Sequence, residues 1–256
     1  MNHDSTWTTL LIQTQEQDVQ CNLFIDGLFT NAVEHAKHGA FLNAKGKFIA
    51  EAVIVSANKE SILLCTPIYS LSDLTEHITH YALLHPLTLT PHTHSVVRSM
   101  EKIKGTHAFR DPRHQGLGWW SLADYKKADT PTQHWSITKS RYLIGVAEGE
   151  NIPPKSIILH YNFDKMQSIA WEKGCYLGQE LITRTRFTGS INKRIFAITG
   201  KSLHPTCAIL DQSKNSIGSV LVAHNNIGLG MCLAKPPEGL LFSDGSFLGL
   251  TPFSQS

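Results

Sequence analysis

A thiol, an ammonium and two glycines lie within the run Lys173-Gly-Cys-Tyr-Leu-Gly178, which continues into Gln179, Glu180 and Arg184. Cys175 is a residue type that can serve as nucleophile, redox thiol or metal ligand, and each role needs the thiolate. A nearby cation and the N–H groups of a helix N-terminus favour that form. Lys173 supplies the cation, and 179–186 reads as the opening of a helix, with Glu180 four residues before Arg184. Gly174 and Gly178 let the chain turn sharply around the thiol. The same local features also describe a buried cysteine beside a turn, and Glu180 with Arg184 an ordinary exposed pair worth about 0.2–0.5 kcal/mol.

The other candidates for chemistry are sparser. Five cysteines, Cys21, Cys65, Cys175, Cys207 and Cys232, are widely spaced with no Cys-x-x-Cys, so neither a disulfide framework, a zinc site nor a self-contained iron–sulfur site is expected. Reduced thiols follow, and any link to a cluster must run through a partner or a shared ligand. His77 and His80 are three apart on a helical pattern, but neither His85 nor the pair His92 and His94 is placed to add a third ligand. These histidines, with His35 and His38, read as solvent-facing or polar-packed, and no metal site is expected.

The elements that must hold the thiol read as mixed helix and strand. Apolar residues at 9–12 predict a strand, and 18–25 a helix ended by Gly27. Residues 41–49 form a hairpin pattern around a glycine-containing turn; 52–55 and 62–65 add strand around the turn at 58–60. Leu71, Leu74, Ile78 and Tyr81 give helical spacing over 70–84, with Ser70 and Asp73 as a capping pair. Segments 87–89 and 96–100 read as two strands, 104–122 shows no clear periodicity, 111–113 is a turn, and 137–144 is a helix broken by Gly145. Beyond Gly189, short apolar segments at 194–198, 207–210, 217–223, 229–234 and 247–250 alternate with turn residues, the pattern of a small β-barrel.

With 256 residues, 41% of them hydrophobic, the chain can bury a core and more than one small domain. No apolar run approaches the roughly 20 residues of a membrane span. The first residues, Met1-Asn-His-Asp-Ser, carry no targeting pattern, so a cytoplasmic location is expected. A net charge of +2 argues against a dedicated nucleic-acid surface.

The run Lys173 to Glu180, followed by Arg184 and Gly189, resembles the signature of the YgfZ family of folate-binding proteins, which includes mitochondrial iron–sulfur cluster assembly factors. Phe109-Arg-Asp-Pro-Arg113, Leu117-Gly118, Arg141, Gly145, Ile152-Pro153, Asn162 and Asp164 follow the order of that family. The resemblance extends to the aminomethyltransferase of the glycine cleavage system. It implies an α+β, three-part fold of mixed antiparallel sheets and helices around a central channel. Residues 1–189 would form two interleaved α+β subdomains and 190–256 a C-terminal barrel.

The function it implies is a tetrahydrofolate-binding accessory protein that supports assembly or repair of iron–sulfur enzymes, tRNA-modifying ones among them, with Cys175 and Lys173 as the working pair. Iron–sulfur proteins or assembly factors would be the partners, with no direct nucleic-acid contact and no membrane. The alternative is a folate-dependent one-carbon transferase, for whose aspartate Asp26, Asp111 and Asp164 qualify by type. Asn31, Arg141, Asn162 and Asp164 are the groups expected to orient the folate, with Tyr176, Gln179, Glu180 and Arg184 beside it, in a channel whose mouth lies near Cys175. Where the transferase has an acid for the pterin this chain has Leu143. Unpaired pterin donors there would cost about 1–3 kcal/mol, so micromolar or weaker affinity is expected.

Overall fold

The computed structural model describes residues 7–16, 19–83, 85–103, 108–124, 134–189, 191–201, 203–237, 241–243 and 246–255. The first half is ordered by the period-two alternation of its strands. It comprises β1 (Trp7–Thr14), α1 (Cys21–Asp26), β2 (Lys37–Leu42), β3 (Phe48–Ala57), β4 (Ser61–Pro67), α2 (Leu71–Tyr81), β5 (Leu87–Ser99), β6 (Phe109–Arg110) and β7 (Trp119–Asp124). The strands join antiparallel in the order β2-β3-β4-β1-β5-β7-β6. Because alternate residues face opposite ways, Leu10, Ile12, Ala50, Ala52, Ile54, Ile62 and Leu64 pack with Leu74 and Ile78 of α2 and Ile25 of α1. Trp7, Val53, Val55, Cys65, Val96, Phe109 and Trp120 form a second cluster.

The second half adds α3 (His134–Ile144) and α4 (Gln179–Phe187), and then β8 (Lys193–Gly200), β9 (Ala208–Leu210), β10 (Ser216–His224), β11 (Ile227–Leu233), β12 (Leu241–Ser243) and β13 (Ser246–Thr251). The last six strands close into a barrel, β10-β11-β8-β13-β12-β9. Ile195, Leu229 and Phe253 share a core with Ala40, Leu42, Phe48, Tyr142, Tyr176 and Ile182. That cluster welds the barrel to the hairpin and to α4, so the cysteine motif sits on a continuous core.

Several expectations are corrected. The segments read as separate strands at 87–89 and 96–100 belong to one strand, β5, which continues through Pro91 and His92. A register shift against β1 between Thr8 and Leu10 absorbs the irregularity, the role of a β-bulge. β7 lies in the stretch without periodicity because its register is dictated by pairing with β5, not by alternation in its own sequence. Ser70 makes no side-chain cap at the start of α2. The helix expected from residue 18 is seen from Cys21 with Gly27 at its end, as the glycine predicts; residue 18 itself, like Leu84 and residues 1–5, lies outside the described residues.

Candidate functional site around an exposed thiol

The motif loop is held at its far end by two glycines. Gly178, the N-cap of α4, has φ +80°, and a Cβ there would lie 2.7 Å from the Asn43 carbonyl oxygen; Gly46, at φ +64°, would meet Leu181 Cβ at 2.8 Å. The β2–β3 turn thus packs directly against the start of α4, which only residues without a side chain permit. Gly174, by contrast, has no positive φ and nothing within 4 Å of its would-be Cβ, so the sharp turn belongs to Gly178 alone. Leu177 N–H donates to the Gly27 carbonyl at 2.9 Å, Gln179 N–H donates to the Tyr176 carbonyl at 3.1 Å, and the Tyr176 ring is buried.

Lys173 anchors the near end. Its ammonium donates to Asp26 Oδ1 (2.8 Å) and to the carbonyls of Asp26 (2.7 Å), Phe29 (2.9 Å) and Asn31 (3.0 Å). Four oxygens therefore surround a group with three hydrogens. Burial lowers its pKa and Asp26 opposes the shift. The expected pairing of this cation with the Cys175 thiol gives way to a clamp across the turn after α1, because the carbonyl cage already takes every N–H.

Cys175 is exposed, whereas Cys21, Cys65, Cys207 and Cys232 are buried. The buried-cysteine reading is thereby removed. Burial raises the thiols of Cys21 and Cys65 and pushes Cys232 up to about 12. What singles out Cys175 is access. Glu180 and Arg184 are both exposed and form no ion pair with each other among the described residues, while Arg186 stacks 4.0 Å over Trp171.

The four groups expected to orient a folate are elsewhere and already occupied. Asn31 donates through Nδ2 to the carbonyls of His38 and Gln167, both at 2.8 Å, and accepts from Ala32 N–H. Asn162 donates to the Ile195 carbonyl and accepts from Arg194, whose guanidinium also grips Asp164 bidentately at 2.9 and 2.7 Å. Arg141 is buried and lies 3.2 Å from Glu148. It pairs with an interior acid, neither a surface one nor a ligand.

That acid opens onto the feature least visible in the sequence. Arg98, Arg113 and Arg141 meet Glu51, Asp111 and Glu148 in the interior, with the Arg113 guanidinium 5.4 Å from the Trp7 ring and 5.6 Å from the Trp120 ring. Glu148 accepts from Arg98 (2.7 Å), Arg113 (2.7 Å) and Trp7 (2.8 Å); Asp111 accepts twice from the Arg113 side chain and once from Trp120. Burial alone would raise both acids, yet the neighbouring arginines hold Asp111 below and Glu148 well below the usual carboxylate range. Glu51 takes Gly149 N–H at 2.6 Å and faces His38 Nε2 at 3.0 Å, while His38 Nδ1 meets Ser168 Oγ at 2.6 Å. Burial lowers the His38 pKa. The order Ser168, His38, Glu51 has the form of a nucleophile–base–acid relay. Ser168 has no exposed surface, however, so its hydroxyl reaches no substrate and the relay is a structural bond chain.

Neither of two cavities formed by described residues, one of about 1060 Å³ and one of about 230 Å³, is lined by Cys175 or by any residue expected to hold a folate. Among the described residues no helix is long and apolar enough to cross a membrane, and no cluster of three metal-ligand side chains occurs.

No protein-family profile matches the chain. It is similar to the human mitochondrial iron–sulfur cluster assembly factor IBA57, 27% identical over 239 residues, covering 80% of this chain and 67% of that one. With the mitochondrial IBA57 homolog of Pyricularia oryzae it is 30% identical over 288 aligned positions, covering 90% and 74%. Among solved structures it superposes on the glycine cleavage system aminomethyltransferase T of Bartonella henselae with a TM-score of 0.71 at 10% identity, over 98% of this chain and 83% of that one. The last likeness shows the expected aminomethyltransferase fold, and the sequence likeness goes further: the chain belongs to the IBA57 family of iron–sulfur cluster assembly factors.

Proposed function

We propose that this protein supports assembly or repair of iron–sulfur enzymes, including those that modify tRNA, and that Cys175 is its functional thiol. The observation that carries the reading is the contrast among five cysteines: four are sealed inside, and one is exposed on a loop clamped at both ends. A single thiolate cannot hold a cluster, since the common clusters take four ligands. Cys175 would therefore act as a ligand or nucleophile completed by a partner, an iron–sulfur protein or another assembly factor. The relatives bear mitochondrial names, and five cysteines outside any disulfide suit any reducing compartment, the cytoplasm or the mitochondrial matrix.

Tetrahydrofolate fits less well. Asn31, Asn162 and Asp164 have their polar atoms engaged internally, Arg141 is paired with Glu148, and Leu143 is 46% exposed where an acid would receive the pterin. The donor set does not match the ligand, and no folate step or one-carbon transfer is derived. In calorimetry, reduced folate is expected to bind more weakly than about 1 μM, roughly −8 kcal/mol.

The test of the thiol is anaerobic activation of a cluster-free iron–sulfur enzyme by wild type and by Cys175→Ser, with the cluster followed by its visible absorption. Loss of activation in the serine variant is expected. Equal activation by both proteins would discard Cys175.

A further inference from the structure

Cations gather around α4 without ion-pair partners. Lys45, Arg184, Arg186 and Lys193 are exposed and Lys47 is half-buried, and none of the five forms an ion pair among the described residues. Backbone contacts bring them together. Gly46, between Lys45 and Lys47, packs so closely on α4 that a Cβ there would lie 2.8 Å from the Leu181 Cβ. Phe48 N–H donates to the Ser156 carbonyl and Arg194 to the Leu159 carbonyl, both at 2.9 Å, so Lys47 and Lys193 flank the segment that carries His160. Burial, and after it the charges of Lys47, Arg194 and Lys193, lower the His160 pKa.

Acids do not balance the set. The turn at 43–48 has none, and between residues 156 and 194 they are Asp164, Glu172 and Glu180. The two segments hold eight cations and three acids, and Asp26, bound to Lys173, adds a fourth; the surplus of four exceeds the +2 of the whole chain. Asp73 and Glu76 border a cavity along α2 with Asn43 and Lys155, and no residue from 156 to 194 lines it. Arg186 stacks 4.0 Å over Trp171, four residues before the thiol, which folds the last turn of α4 against the Cys175 segment. Phe187 beside it is 80% exposed. Arg184 and Arg186 complement the carboxyl end of the helix, but that accounts for neither the lysines nor the phenylalanine.

We propose that α4 and the β2–β3 turn form a docking face for an acidic protein surface with an apolar socket for Phe187, carried by the iron–sulfur protein that completes the coordination of Cys175. This deepens the reading above and rests on it, since a lone thiol needs a partner's ligands. Exposed aromatic and arginine side chains are what interface cores favour. Glu172 and Glu180, set among the cations, would repel phosphates but can meet lysines or arginines of a protein, so a protein suits the face better than a nucleic acid.

The probe is the cluster-free iron–sulfur enzyme of the activation assay, immobilised for biolayer interferometry against the full chain. Lys45→Glu together with Lys193→Glu cancels the surplus and should weaken binding by about tenfold or more, chiefly through slower association, with the salt dependence lost. Phe187→Ala should speed dissociation by about fivefold or more. All three side chains are exposed, so thermal melting should stay as in wild type. Cys175→Ser should bind within about threefold of wild type while failing to activate, which separates the face from the thiol. Full activation by Cys175→Ser, with binding weakened in the charge variant, would discard the thiol and keep the face. No binding by wild type, or wild-type binding by both surface variants, overturns the face. Binding of bulk tRNA that the charge variant loses, with enzyme binding unchanged, assigns the cations to nucleic acid and overturns it as well.

Discussion

The interior around Glu148 and the loop around Cys175 treat polar groups in opposite ways. Three arginines and three acids inside the molecule are bound to one another, to two tryptophan N–H groups and to backbone, and of the Arg98 guanidinium only Nε and Nη2 lack a hydrogen bond among the described residues. The loop commits one ammonium and one backbone amide to the body of the protein and leaves the thiol, Glu172, Glu180 and Arg184 in solvent. A desolvated charge needs an opposite charge beside it, and a group committed to such a partner has little capacity left for a ligand. Reactivity in this fold therefore belongs at the surface, although the strongest electrostatics lie at the centre.

The comparison is broken most severely from the inside. Glu148→Gln removes a charge that three guanidiniums share, and such a loss from a buried pair costs about 3–5 kcal/mol. Calorimetric melting should drop by roughly 10 °C. Next, Gly178→Ala forces a side chain into a left-handed residue whose Cβ would sit 2.7 Å from a carbonyl oxygen; a loss of about 2–3 kcal/mol in urea unfolding is expected.

Lys173 tests whether the clamp, and not a thiolate partner, is what the cysteine needs. Lys173→Met leaves buried carbonyls unsatisfied, at about 1–3 kcal/mol. It should alter the rate of Cys175 alkylation through loop mobility while leaving the pH at which alkylation is half-maximal unchanged. Lys173→Arg should not rescue it, since a planar fork cannot fill a cage built for an ammonium. A shift of the pH midpoint in Lys173→Met would restore the thiolate pairing.

Acid sharpens the picture with a smaller, graded effect. Burial depresses His38 and His77, so the unfolded chain takes up their protons first once pH falls below 6.5. Stability is therefore full above about 6.5 and declines as pH falls, to about 4 for His77. A further loss follows below the ordinary carboxylate range as Asp111 and Glu148 are protonated through their depressed values. Unfolding followed from pH 7.5 to 3 checks both stages. The smallest change belongs to Cys175→Ser, within about 0.5 kcal/mol of wild type, because the side chain is exposed. Mass-spectrometric alkylation of the native protein should label Cys175 before the other four thiols.

Local rules made the helix ending at Gly27, the β2–β3 hairpin, the start of α4 and five of the barrel strands legible in the amino-acid order, because alternation, helical spacing and glycine placement are properties of neighbouring residues. The importance of Cys175 was legible too, as a motif. Its chemistry was not: Lys173 is two positions away in sequence, yet its ammonium is claimed by carbonyls from residues near 26–31, a contact that exists only once the loop docks on α1. His77 reads as a polar-packed or surface residue on a helix and is instead packed against Phe41 and Tyr81 with one ring nitrogen unmatched. Asp111 and Arg113 share one turn, but nothing in the spacing of Glu51, Arg98, Arg141 and Glu148 says that these would join them, because they come from separate strands, a helix and a loop. Charges far apart along the chain attract strongly only after folding has removed the water between them, so that network could be decided by the tertiary structure alone.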